Sequence, residues 1–141
     1  MITIQQFYMG RDRIYPAELT PDKQLAAHAT VQKINALIAA FRADGVELET
    51  KPGTMPPSPV SSGWRPAKIN GNTAGAAPKS KHMSCHACDL YDPEGDIDQW
   101  ALDHPEVLAK IGLWQEHPSA TKGWAHFQTI PPRSGNRVFY P

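Results

Sequence analysis

The ten residues from Ser80 to Asp89 hold two histidines, two cysteines and an aspartate, the side chains that bind metals or form thiolates. A closed zinc knuckle through His82, Cys85, His86 and Cys88 is one arrangement. It would crowd four ligands into one short loop, whereas tetrahedral sites draw ligand pairs from two separated places. A nucleobase deaminase needs a His-x-Glu and a proline before its Cys-x-x-Cys, and both are missing. No βαβ pattern follows Cys88, as a thioredoxin-type pair would require. The thiols of Cys85 and Cys88 then read as small buried hydrophobes. A different arrangement takes His82 and Asp89 from this stretch and His126 from far along the chain. Two imidazoles and a carboxylate leave one tetrahedral position open for water, which is the catalytic form of a zinc site.

These residues need elements to hold them. In Trp124-Ala125-His126-Phe127-Gln128, strand alternation puts Trp124, His126 and Gln128 on one face and Ala125 and Phe127 on the other. Residues 87–91 read as a second strand, closed by the turn Asp92-Pro93-Glu94-Gly95, and 60–65 as a third that ends at a turn. Residues 112–116 form a fourth, joined to 124–128 by a hairpin loop over 117–123. That loop pairs 116 with 124 and 114 with 126, so Glu116 and His126 share a face.

Thr20-Pro21 is a helix start, with a hydroxyl N-cap and a proline at the first helical position. From Pro21 to Phe41, the residues Leu25, Ala29, Ile34, Leu37, Ile38 and Phe41 recur at helical spacing, with Gly45 beyond the end. This amphipathic helix covers a core and leaves His28 solvated or capping. Residues 97–101 and 105–111 are two short helices. The proline-rich run 50–59 excludes regular structure. Residues 66–81 read as a surface loop, and 129–141 as an extended tail. The whole is one small α+β domain spanning 1–141, with long loops and an antiparallel sheet.

Composition narrows the function. Lys+Arg 14 balance Asp+Glu 14, which disfavours a nucleic-acid partner. No apolar run approaches the roughly 20 residues that span a bilayer, so no membrane insertion is expected. Residues 1–11 lack a charged segment followed by an apolar one, so synthesis in the cytoplasm without a signal peptide is expected. Two cysteines make no disulfide framework.

Three motifs occur in order: Ser62-Gly63-Trp64-Arg65-Pro66, then Ser80-x-His82 with Asp89 seven residues on, then Gly123-Trp124-Ala125-His126. Together they resemble the zinc D-alanyl-D-alanine carboxypeptidase and L-alanyl-D-glutamate endopeptidase family, whose fold is shared with the hedgehog signalling domain. The resemblance covers residues 60–128, and Pro131-Pro132 and Ser134-Gly135 are similar to the small phage-encoded members. It implies one zinc ion per chain on His82, Asp89 and His126. Arg65 would hold a substrate carboxylate or carbonyl oxygen, with Ser80 and Trp124 beside it. The implied substrate is a peptidoglycan stem peptide with D-residues, and the implied place of action is the cell wall, reached after release or phage delivery by a monomer.

One departure concerns the general base. Several members carry a catalytic Glu three residues before the last histidine, where this chain has Gly123. Glu116 is the replacement that the hairpin favours, and His117 is the other candidate. Without a working base, the resemblance implies a non-catalytic, zinc-containing binding domain, for example a virion component. No His-Glu-x-x-His helix is present, which disfavours a general peptidase.

Overall fold

A computed structural model describes all 141 residues. Thr3 opens helix α1 (Ile4–Tyr8) through a reciprocal capping box with Gln6. A left-handed turn at Met9 and Gly10 sends the chain into α2 (Arg11–Ile14), and a 3₁₀ turn follows at Pro16–Glu18. Residues 1–20 showed no such order in their hydrophobic pattern, because each helix is too short to display a full period.

Helix α3 (Pro21–Ala43) begins at Thr20, as its sequence predicts, and Gly45 follows it with φ +87°. Its buried stripe is Ala27, Thr30, Ile34, Leu37, Ile38 and Phe41. Leu25 and Ala29, expected on that stripe, face solvent instead, Leu25 at 76% exposure. In the first turns of α3 the inward face is set by Ala27 and by the hydroxyl of Thr30. That hydroxyl donates to the Cys85 carbonyl at 2.7 Å, tying the helix to the His82 loop. His28 is exposed, as expected.

Five strands form one mixed sheet in the order β1-β2-β4-β3-β5: β1 (Val60–Ser62), β2 (Ala87–Asp92), β3 (Trp114–Glu116), β4 (Gly123–Gln128) and β5 (Val138–Phe139). The first four pair antiparallel, while β5 lies parallel to β3. Two expectations are corrected here. The sheet is not wholly antiparallel, and the tail is not merely extended, because the Arg137 and Phe139 carbonyls accept from the Gln115 and His117 amides. Residues 66–81 hold a third correction: helix α4 (Ala67–Gly71) starts after Pro66, and its buried Asn70 donates to the Ala77 carbonyl. Polar side chains that satisfy backbone make this helix legible only in three dimensions.

Helices α5 (Asp96–Asp103) and α6 (Pro105–Ile111) complete the fold. Cys88, Leu90, Ala125 and Phe127 join the α3 stripe, Trp100 and Leu108 in one core on one side of the sheet. Asp89, Trp124 and His126 alternate with those core residues and lie on the other side. One sheet thus separates a packed interior from a polar cluster.

Candidate metal centre

The register of β2 against β4 makes the first contact. Asp89 is the direct partner of His126, with Leu90 opposite Ala125 on the core side. Asp89 Oδ1 lies 2.7 Å from His126 Nδ1 and 3.2 Å from His82 Nε2. The three ligand atoms lie within 4.8 Å of one another, and all three residues are buried.

His82 arrives from a loop, and backbone holds it. Gly63 leaves β1 pressed against the Phe7 carbonyl, where any Cβ would overlap that oxygen, so the position requires glycine. The freed Gly63 carbonyl meets His82 Nδ1 at 2.8 Å, and Arg65 N donates to the His82 carbonyl at 3.1 Å. Trp64, wholly buried, donates from Nε1 to the Met83 carbonyl. The run Gly63-Trp64-Arg65 is therefore a clamp for the His82 loop. Cys85 closes the loop at φ +66°, an uncommon conformation for a residue with a Cβ.

Each histidine has one nitrogen engaged away from Asp89. Gly63 O takes the Nδ1–H of His82, and Gln128 Oε1 takes the Nε2–H of His126 at 3.0 Å. Gln128 Nε2 donates to the Ile130 carbonyl at 2.7 Å, which fixes the amide orientation. His82 Nε2 and His126 Nδ1 are left to face Asp89, the tautomers that metal binding needs. Zinc bonds of about 2.0 Å at tetrahedral angles would separate ligand atoms by about 3.3 Å, and two imidazoles with a carboxylate suit first-row divalent metals, zinc among them. The His82–Asp89 spacing already matches, whereas His126 and Asp89 sit at hydrogen-bond distance.

Electrostatics follow from burial. Desolvation alone would raise the Asp89 pKa, but the two imidazoles outweigh it and hold the carboxyl well below the usual carboxylate range. Burial lowers the His82 pKa against the pull of Asp89. For His126 burial also acts downward, but Asp89, Gln128 and Glu116 together raise it.

Glu116 stands beside the triad, its Oε2 3.9 Å from His126 Nδ1. The hairpin expectation is corrected in register. Trp114 pairs with Gln128 and Gln115 with Phe127, a slip of two residues from the expected pairing. The 3₁₀ turn Pro118–Ala120 makes the connection asymmetric. A slip of two preserves the face, so Glu116 still points with His126 and moves closer to it. Burial raises the Glu116 pKa; His126 opposes and Asp89 adds to it.

Arg65 is half-buried, donates from Nη2 to Ser80 Oγ at 3.1 Å, and has a buried Nε without a partner. Ser80 Oγ also accepts from His82 N, so this hydroxyl orients both the loop and Arg65. Trp124 is half-buried on the site face, opposite Tyr91. His117 is not brought to the cluster. Its Nδ1 accepts from Ser119 N, and its ring stacks on Tyr140 at 4.5 Å.

The knuckle set does not assemble. Cys88 lies in the core on the far side of the sheet, and His86 bonds Ser84 instead. Both thiols are free and buried; burial pushes Cys85 up to about 12 and Cys88 well above its ordinary value. Two site-face residues escaped sequence reasoning in their roles. Gln128 was placed by alternation, but its bond to His126 depends on Ile130. Phe139 meets the His126 ring edge-on at 6.3 Å only because β5 joins the sheet.

No helix is long and apolar enough to cross a membrane. Compared with known proteins, the chain matches no protein-family model, no curated protein and no solved structure.

Proposed function

We propose that the chain is a zinc-dependent peptidase that cuts a peptidoglycan stem-peptide bond. The observation that carries the reading is the meeting of His82, Asp89 and His126 at one point with Glu116 beside it and no fourth protein ligand. His82 would hold the ion through Nε2, His126 through Nδ1 and Asp89 through a carboxylate oxygen. When bound, zinc acidifies its water and polarises the scissile carbonyl.

Glu116 is the general base. Its carboxylate takes the proton from the attacking water and delivers it to the leaving amine. Partial burial favours this task, because a raised pKa makes the carboxylate a better proton acceptor and its acid form a usable donor. Arg65 offers planar N–H groups to the developing oxyanion or to a nearby carboxylate. Ser80 holds that guanidinium in place, and Trp124 forms one wall of the site. Glu116 supplies from a neighbouring strand the carboxylate that Gly123 lacks. The stem-peptide substrate rests on the three-motif resemblance of residues 60–128. Gly123 by itself favours the second reading, a zinc-containing binding domain without turnover.

Incubation of zinc-loaded protein with purified peptidoglycan, followed by labelling of new amino groups, separates the two. Release of new amino groups is expected, and Glu116→Gln should reduce it at least about a hundredfold with zinc content unchanged. No new amines from fully loaded wild type would leave only the binding domain. A Glu116→Gln protein as fast as wild type would remove Glu116 as the base.

A further inference from the structure

Arg11, on α2, is far from every motif in the chain, yet its Nη1 donates to the Trp64 carbonyl at 2.7 Å. That carbonyl belongs to the peptide that joins Trp64 to Arg65, so Arg11 reaches the base of the Arg65 side chain. The approach is enforced from both ends. Trp64 N donates to the Phe7 carbonyl, and Gly63 N contacts Met9 Sδ, which binds the α1–α2 turn to the exit of β1.

Neither guanidinium is in contact with a carboxylate, although Asp89 acts on Arg65 at longer range. No carboxylate oxygen lies within 4.0 Å of Arg11 or Arg65. Glu18, from the same end of the molecule, is engaged elsewhere: its Oε1 accepts from Ala67 N at the start of α4. Arg11 has one hydrogen bond to protein and Arg65 one from its side chain, with Arg65 Nε buried and unpartnered. Burial lowers the Arg11 pKa and the Arg65 charge lowers it further, the mark of two like charges held in one neighbourhood. Arginine does not shed its proton to relieve this, so an anion bridging the two half-buried groups would compensate them more fully than solvent does.

We propose that Arg11 and Arg65 form one carboxylate-binding subsite beside the His–Asp–His cluster, and that Arg11 is its second guanidinium. The ligand class is a peptide with a free carboxylate near the scissile bond. The identity of that peptide as a stem peptide rests on the peptidase reading; the subsite itself does not. Two guanidinium planes can each give paired N–H donors to a carboxylate, which discriminates sharply against the neutral amide.

The test uses the metal-free full chain and calorimetric titration with N-acetyl-D-glutamate, its diamide and inorganic phosphate. The free acid is expected to bind wild type and Arg133→Gln equally, since Arg133 is an exposed arginine elsewhere. Arg11→Gln and Arg65→Gln should each weaken it at least tenfold, and the diamide should not bind. Arg11→Lys keeps the charge without the fork; it should give an intermediate affinity and serves if Arg11→Gln fails to fold. Wild-type affinity in either folded Arg11 variant, equal binding of the diamide, or no binding to wild type would overturn the subsite. Tighter binding of phosphate than of the acid would overturn the carboxylate assignment. Neither zinc nor turnover enters this measurement, so loss of the peptidase reading and loss of the subsite give separate results.

Discussion

The Gln128 carboxamide accepts from His126 Nε2 and donates to the Ile130 carbonyl. Reversing the amide would break both bonds at once, so the histidine is left with Nδ1 to offer to a metal ion. Outer partners of this kind typically change metal affinity by about 10–100-fold. Gln128→Leu should therefore weaken zinc binding by that factor in competition with a chromophoric chelator, while Gln128→Glu, still an acceptor, should retain most of it. An unchanged affinity in Gln128→Leu would contradict the tautomer assignment. At the same scale, His82, Asp89 and His126 were named through the three-motif resemblance and Glu116 through strand alternation, and the structure brings the four side chains together. Arg11 was not legible in the sequence. A lone arginine on a short helix carries no signal until the chain brings it to Trp64.

At the scale of elements, the end of β1 is the critical joint. Gly63 touches the Phe7 carbonyl and presents its own carbonyl to His82, so one position couples α1 to a candidate metal ligand. Gly63→Ala forces backbone to move, and overpacking of this kind costs about 1–3 kcal/mol. The variant should melt at lower temperature and also bind zinc more weakly, read by thermal unfolding with and without chelator. A loss of stability with wild-type zinc affinity would show that the Gly63 carbonyl does not position His82. The β3–β4 hairpin teaches a related lesson. Its loop length suggested one register, and the structure, with a 3₁₀ turn in that loop, has another two residues away. Alternation has a period of two, so the face of Glu116 was readable although its partner was not.

At the scale of the molecule, Asp98 links α5 to the far end of the sheet. Its carboxyl accepts from Gln115 Nε2 at 2.9 Å and from Thr121 Oγ1 at 2.9 Å, and Asp92 receives the backbone N–H groups of Ile97 and Asp98. Burial raises the Asp98 pKa to about 6, against the downward pull of its Gln115 and Thr121 hydrogen bonds. The unfolded chain releases this proton near pH 4, so between about pH 4 and 6 the folded state binds more protons. This group therefore contributes stability at low pH that is lost as pH rises through 6. Asp98→Asn should flatten that decline in melting temperature measured from pH 4 to pH 7. An identical slope in the variant would exclude Asp98 as its source.

Patterns carried by single periods were sufficient in the sequence for the start and end of α3, the strands around Asp89 and His126, and the shared face of Glu116, which are local and set by caps and alternation. The candidate ligand set came instead from the order of three motifs spread over residues 60–128. Tertiary structure decided the rest. It turned Leu25 and Ala29 outward, since a helix buries only what its neighbours cover. It drew Val138–Phe139 into the sheet beside β3, and it set Arg11 against the Trp64 carbonyl. Those outcomes depend on contacts between residues far apart in the chain, where spacing has no period to reveal and only the packed partner selects the geometry.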